Sequence, residues 1–145
     1  MARVFVSSVI NAEASAVWER IRDFNALPRW HPRIRDSRIE DALPGDKIGC
    51  IRNFHLQSGE TIREKLIGMS DYDLFCSYSM LEGPMPLWDY MATLRLTPIT
   101  DGNRTFAEWS AEFECDPKDE ADLVDGIGTN VFQGGFDALK RHFGG

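Results

Sequence analysis

The stretch that most constrains the fold of this chain is Ala107 to Cys115, where Ala107, Trp109, Ala111, Phe113 and Cys115 alternate with Glu108, Ser110, Glu112 and Glu114. A period of two puts the first set on one face of a β-strand and the second on the other. Slipping this strand by one residue would turn three glutamates inward, so its register is fixed. A sheet with one apolar face needs a cover. The one element large enough is the helix candidate Pro117 to Phe143, which carries Val124, Ile127, Gly128, Val131, Phe132, Gly135, Ala138, Leu139 and Phe143 along one stripe. Proline opens it, Asp119, Glu120 and Asp122 follow, and Lys140 and Arg141 come near its end, a polarity that suits the helix dipole. Gly126, Gly128, Gly134 and Gly135 are costly there, at about 0.5 to 1 kcal/mol each relative to alanine. They predict a kink, close backbone packing or space left for a ligand.

The rest of the chain supplies more strands. Val4 to Ile10 is β-branched, and Ala14 to Asp23 then places Val17, Trp18 and Ile21 on one helical face until Asn25 and Pro28 break it. A short helix or turn with Phe24, Leu27 and Trp30 follows, and Pro32 returns the chain to extended form. Strands are expected over Ile34 to Glu40, Ile48 to Leu56, Thr61 to Met69, Leu74 to Leu81, Trp88 to Thr97 and Thr105 to Cys115, separated by short turn-rich segments. Short connectors make neighbouring strands antiparallel. The expected architecture is α+β: a curved seven-stranded antiparallel sheet wrapped around a long C-terminal helix, with two short helices after the first strand, in a single domain over residues 1–145.

Strand phase places two charges on the inner face. Arg52 is in phase with Ile48, Cys50, Phe54 and Leu56, and Glu64 with Ile62, Leu66 and Gly68. The turn at Ser58-Gly59 brings these strands side by side. Unpaired charges there would cost several kcal/mol, so Arg52 and Glu64 either form a structural ion pair or serve a polar ligand. Cys76, Tyr78 and Met80, and then Trp88, Tyr90, Ala92, Leu94 and Leu96, share the inward phase.

Composition narrows the function classes. With 43% hydrophobic residues and four tryptophans the chain builds a core. A net charge of -7 repels phosphate backbones and anionic headgroups, so neither nucleic acid nor membrane insertion is expected. No apolar run is long enough to span a bilayer and no signal-peptide core is visible, so a cytoplasmic location is expected. Cys50, Cys76 and Cys115 lie singly in apolar runs and read as buried free thiols. His31, His55 and His142 lack the local spacing of a ligand set, so no metal and no cofactor are expected. His31 reads as a solvated turn histidine, with a pocket-edge acid or base as the alternative, and His55 faces outward. Gly126-Ile127-Gly128 lies in a helix rather than after a strand, which rejects a dinucleotide fingerprint, and Asn103-Arg104-Thr105 is a chance glycosylation match.

Several segments carry a family resemblance: Ala14-Ser15-Ala16-Val17-Trp18 with Asp23-Phe24, Trp30-His31-Pro32, Gly49-Cys50-Ile51-Arg52, Arg63-Glu64-Lys65-Leu66 and Gly135-Phe136-Asp137-Ala138-Leu139-Lys140. In order and spacing they resemble the START-like, birch-pollen-allergen-like helix-grip proteins (SRPBCC), in particular the polyketide cyclase/dehydrase-like branch. The Gly-x-x-Arg and Glu-Lys-Leu pieces are also similar to those of plant abscisic-acid receptors and lachrymatory-factor synthase. The resemblance implies a hydrophobic cavity between sheet and last helix, reached past Ser58-Gly59-Glu60 and the loop from Glu82 to Leu87. Family members bind steroids, lipids, hormones or polyketides, and some cyclise or dehydrate them without a cofactor.

The expected function is therefore binding of a small hydrophobic molecule, such as a lipid, polyketide, steroid-like or aromatic compound, by a monomer or homodimer. The alternative is a cofactor-free cyclase, dehydratase or isomerase with Glu64 as acid or base beside Arg52. A chaperone-like regulator that binds protein through an exposed loop is a third class. Candidate ligand-binding residues are Trp30, Arg52, Phe54, Glu64, Tyr78, Met80, Trp88, Tyr90, Trp109, Phe113, Val131 and Gly135. Bulky Met80, Trp88 and Trp109 are expected to shrink the cavity.

Overall fold

The computed structural model describes residues 1–144. Seven strands form: β1 (Ala2–Ile10), β2 (Ile34–Ile39), β3 (Ile51–Leu56), β4 (Thr61–Ser70), β5 (Phe75–Glu82), β6 (Leu87–Ile99) and β7 (Arg104–Cys115). They make one antiparallel sheet in the order β1-β7-β6-β5-β4-β3-β2. The run from β2 to β7 is a meander, so the chain must cross from the β1 edge to the β2 edge. It does so through α1 (Ala14–Ile21) and α2 (Leu27–Trp30). Helix α1 buries Ala14, Val17, Trp18 and Ile21, spaced three and four apart as one apolar face requires. Its Trp18 Nε1 donates to Asp71 Oδ1 at 2.7 Å, and Arg22 Nε reaches the same oxygen at 2.8 Å, tying the helix to the β4–β5 turn.

The cover over the sheet begins as α3 (Pro117–Gly126), passes into π-helix over Ile127–Gln133 and resumes as α4 (Gly134–His142). Its inward residues Ile127, Phe132, Phe136 and Leu139 share one buried core with Ala107, Trp109, Ala111 and Phe113, the face set by the β7 alternation, and Phe132 and Phe136 meet the Trp109 ring directly. The helical glycines divide by role. A Cβ on Gly135 would sit 2.9 Å from Trp109, 3.0 Å from His31 and 3.1 Å from Trp30, whereas one on Gly126 would meet nothing within 4 Å. Close aromatic packing therefore explains Gly135.

The strand phase departs from the sequence expectation at three places. In β6 a bulge adds a residue, since Trp88 pairs with Glu114 and Met91 with Glu112, with Asp89 in left-handed conformation at φ 52°. Trp88, expected inward, is turned out by that extra residue and is 52% exposed. Strand β3 starts at Ile51 rather than Ile48, because Gly49 at φ 94° breaks the extended run and leaves Ile48 at 55% exposure. A second bulge between Leu66 and Gly68 sets Gly68 opposite Ser77, outside the inward phase assigned to it. The cysteines are free, with Cys50 and Cys76 buried and Cys115 only half-buried.

The two glycines give a paired expectation. Gly135→Ala forces its Cβ into three rings and should cost about 1–3 kcal/mol. Gly126→Ala has open space and should stabilise by about 0.5–1 kcal/mol. Urea unfolding of both variants checks the pair, and equal effects would contradict it.

Candidate functional site

Arg52 and Glu64 are direct partners in the β3–β4 register, so their inward side chains meet within the sheet. Arg52 Nε and Nη2 both donate to Glu64 Oε1, at 2.9 and 2.7 Å. Arg52 Nη1 donates to the Phe24 carbonyl at 3.3 Å. The guanidinium also lies 4.0 Å from the Phe24 ring centre and 4.7 Å from that of Tyr78, within cation–π range. Side-chain exposures of 7% and 6% make this a buried ion pair. Burial pushes the Glu64 carboxyl above its usual range while the Arg52 charge opposes that rise. Burial also works against the Arg52 charge, yet attraction to Glu64 raises its pKa overall, and the guanidinium stays protonated.

The pair borders a cavity of about 300 Å³ between sheet and last helix. Of the sequence candidates, Arg52, Phe54, Glu64, Tyr78, Met80, Tyr90, Trp109 and Val131 lie on its wall. Four do not. Trp88 is turned to solvent by the β6 bulge. Phe113 stacks behind Tyr90 at 6.0 Å, and Trp30 lies behind Trp109 at 5.7 Å. Gly135 is covered by the Trp30, His31 and Trp109 rings. Trp109 is itself clamped, stacked on Phe132 at 4.6 Å with its Nε1 donating to the Tyr78 hydroxyl at 3.0 Å. Burial and the nearby Glu64 charge push both Tyr78 and Tyr90 well above the ordinary phenol range, which keeps them neutral hydroxyls.

At the mouth, exposed Arg33, Glu60, Pro84 and Pro86 surround the opening, with half-buried Met85 among them. Leu27, Ile34, Leu56, Ile62 and Ile127 add apolar wall that the sequence reading had placed in the core or left unassigned.

The residue the sequence most misplaced is His31. Expected as a solvated turn histidine, it is 2% exposed and lines the cavity. Its Nε2 donates to the Val131 carbonyl at 2.7 Å, and its Nδ1 accepts from the Arg33 backbone N–H at 3.3 Å, which together fix the Nε2–H tautomer. That carbonyl belongs to the π-helical turn, where the Gly134 N–H reaches back to Thr129 and Val131 rather than making the regular α bond. Proline beside His31 signalled a turn, and nothing in the side-chain pattern announced a carbonyl waiting for its ring.

Burial lowers the His31 pKa below its ordinary 6.5, opposed only by the Val131 contact and assisted by Arg33 and Arg52. A lowered folded pKa means that the unfolded chain binds the proton more readily. The contribution to stability is then complete above pH 6.5 and is lost as pH falls below it. Glu64 has the opposite sign, because its raised pKa favours the folded state at low pH. The denaturant midpoint should therefore drop between about pH 6.5 and 5 in the wild type and stay flatter in His31→Gln. An identical pH slope in both proteins would contradict a buried neutral His31.

A family model described as "Polyketide cyclase / dehydrase and lipid transport" matches residues 1–144. Among solved structures, the protein XoxI from Bacillus cereus is 27% identical, with a TM-score of 0.88 over 99% of this chain and 96% of its own. A Thermobifida fusca protein solved by solution NMR is 30% identical, with a TM-score of 0.90 over 99% of this chain and 94% of its own. An uncharacterized protein from Bacillus thuringiensis is 29% identical, with a TM-score of 0.85 over 99% of this chain and 100% of its own. No curated protein matches the chain. Among the described residues no helix is long and apolar enough to cross a membrane.

Proposed function

The chain belongs to the polyketide cyclase/dehydrase and lipid-transport family, and from that premise we propose that it binds a compact, largely apolar molecule in the cavity between sheet and last helix. The observation that carries this reading is an apolar cavity ending on one buried charge pair. At about 300 Å³ it stands at the small end of the usual range of ligand pockets, which suits a compact ring compound better than a two-chain lipid. Aromatic and methionine walls supply apolar contact, and Glu64 supplies one point of polar orientation.

Catalysis is the second reading, and it rests on Glu64. A carboxyl pushed up by burial and bordering a cavity is the type of group that enzymes use to move protons near neutral pH. Native mass spectrometry of the purified protein separates carrier from empty scaffold by the mass of a co-purifying compound. If that compound is then converted, Glu64→Gln should slow turnover by about 10² to 10⁴. If it is only held, no product mass should appear with either protein.

Stability supplies a further test. Glu64→Gln leaves Arg52 as an uncompensated buried charge and should cost roughly 3–5 kcal/mol. Replacing both groups by apolar residues, Arg52→Met with Glu64→Leu, should restore stability to the wild-type level or above while abolishing retention of the co-purifying compound. Thermal melts and native mass spectra of the two variants check this. A double variant that melts well below the wild type would instead make the pair a structural element.

A further inference from the structure

An arginine inside an apolar cavity invites the reading of a carboxylate anchor, and the geometry argues against it. Three Arg52 nitrogens are already engaged, Nε and Nη2 with Glu64 and Nη1 with the Phe24 carbonyl. The Phe24 and Tyr78 rings lie against the guanidinium at 4.0 and 4.7 Å. The cation is neutralised and covered. Glu64 shows the reverse condition. Both Arg52 bonds fall on Oε1, and no side chain or backbone N–H among the described residues donates to Oε2, although the side chain is only 6% exposed. A carboxylate offers about four lone-pair sites, and Oε2 is not sealed in protein, since Arg20 Nε is the only fully buried side-chain polar atom without a partner among the described residues; Oε2 is open to accept. Glu64 is on the cavity wall, so a donor for that oxygen must come from the cavity's content.

We propose that the cavity selects uncharged hydroxyl compounds, a phenol or alcohol on an apolar ring body, whose O–H donates to Glu64 Oε2, and that it rejects carboxylates of the same shape. This rests on the cavity-binding reading above. An anionic head would meet the unpartnered oxygen of Glu64 and find the Arg52 charge already paired with that carboxylate. A cationic amine would be opposed by the guanidinium 2.7 Å from the same carboxylate. A neutral hydroxyl meets neither penalty. The Tyr78 hydroxyl already accepts from Trp109, which leaves Glu64 as the strongest open acceptor at this end.

The test uses three probes with one ring body: a naphthol, a methylnaphthalene and a naphthoate substituted at the same ring position, titrated calorimetrically into the wild-type protein. The naphthol should bind roughly tenfold or more tighter than the methylnaphthalene, the worth of a hydrogen bond to a charged acceptor, and the naphthoate should bind most weakly. In the Arg52→Met, Glu64→Leu double variant the methylnaphthalene should still bind and the naphthol advantage should vanish. Equal affinity of naphthol and methylnaphthalene in the wild type, preference for the naphthoate, or an advantage that survives in the double variant overturns the selection while leaving the cavity reading standing. Failure of all three probes to bind overturns both. The wild-type series decides the question alone if the double variant does not fold.

Discussion

The buried contact between Arg52 and Glu64 is the interaction on which the interior is organised. It locks β3 against β4 at one register position and reaches the Phe24 carbonyl in the connection between α1 and α2. It also draws the Phe24, Phe54 and Tyr78 rings around one planar cation. Desolvating two such groups costs several kcal/mol each, and their mutual attraction roughly offsets that cost, so the pair adds little net stability. What it adds is position. One carboxylate oxygen is held in a fixed place at the polar end of an otherwise apolar space.

A second constraint comes from the last helix. Its π turn presents the Val131 carbonyl to His31, which joins the helix to the chain between α2 and β2. Gly135, one turn further on, lets Trp30, His31 and Trp109 approach the helix backbone. The aromatic wall and the helix are thus joined by one hydrogen bond and one missing side chain. This arrangement requires a neutral imidazole, because its Nδ1 must accept while its Nε2 donates.

Much of this was legible in the sequence because strand alternation is a local signal with a physical cause. The β7 pattern sets the inner face, and the same phase count puts Arg52 and Glu64 inside, where the β3–β4 register pairs them. The count fails where the backbone departs from period two. Gly49, the bulge beside Gly68 and the one at Asp89 each shift the phase, and Ile48, Gly68 and Trp88 were misplaced for that reason. Alternation also gives a face and not a depth. Phe113 and Trp30 are buried as expected, yet each lies one layer behind the cavity wall. His31 was beyond reach of pattern, since its partner is a backbone carbonyl exposed by helix geometry a hundred residues away.

The β6 bulge has an evolutionary consequence. With Asp89 present, Trp88 is in water and Tyr90 is on the cavity wall. Flattening the bulge without losing a residue would restore the strict two-residue beat and put Trp88 in the inward phase of Tyr90, whereas loss of the Asp89 codon would make the two residues neighbours on opposite faces and leave the indole outside. The space for a ligand is therefore guarded by the left-handed turn of one backbone residue, and not by the number of residues in the strand. A related chain with the same wall residues keeps a tryptophan here outside in two ways, by holding this bulge or by lacking the extra residue.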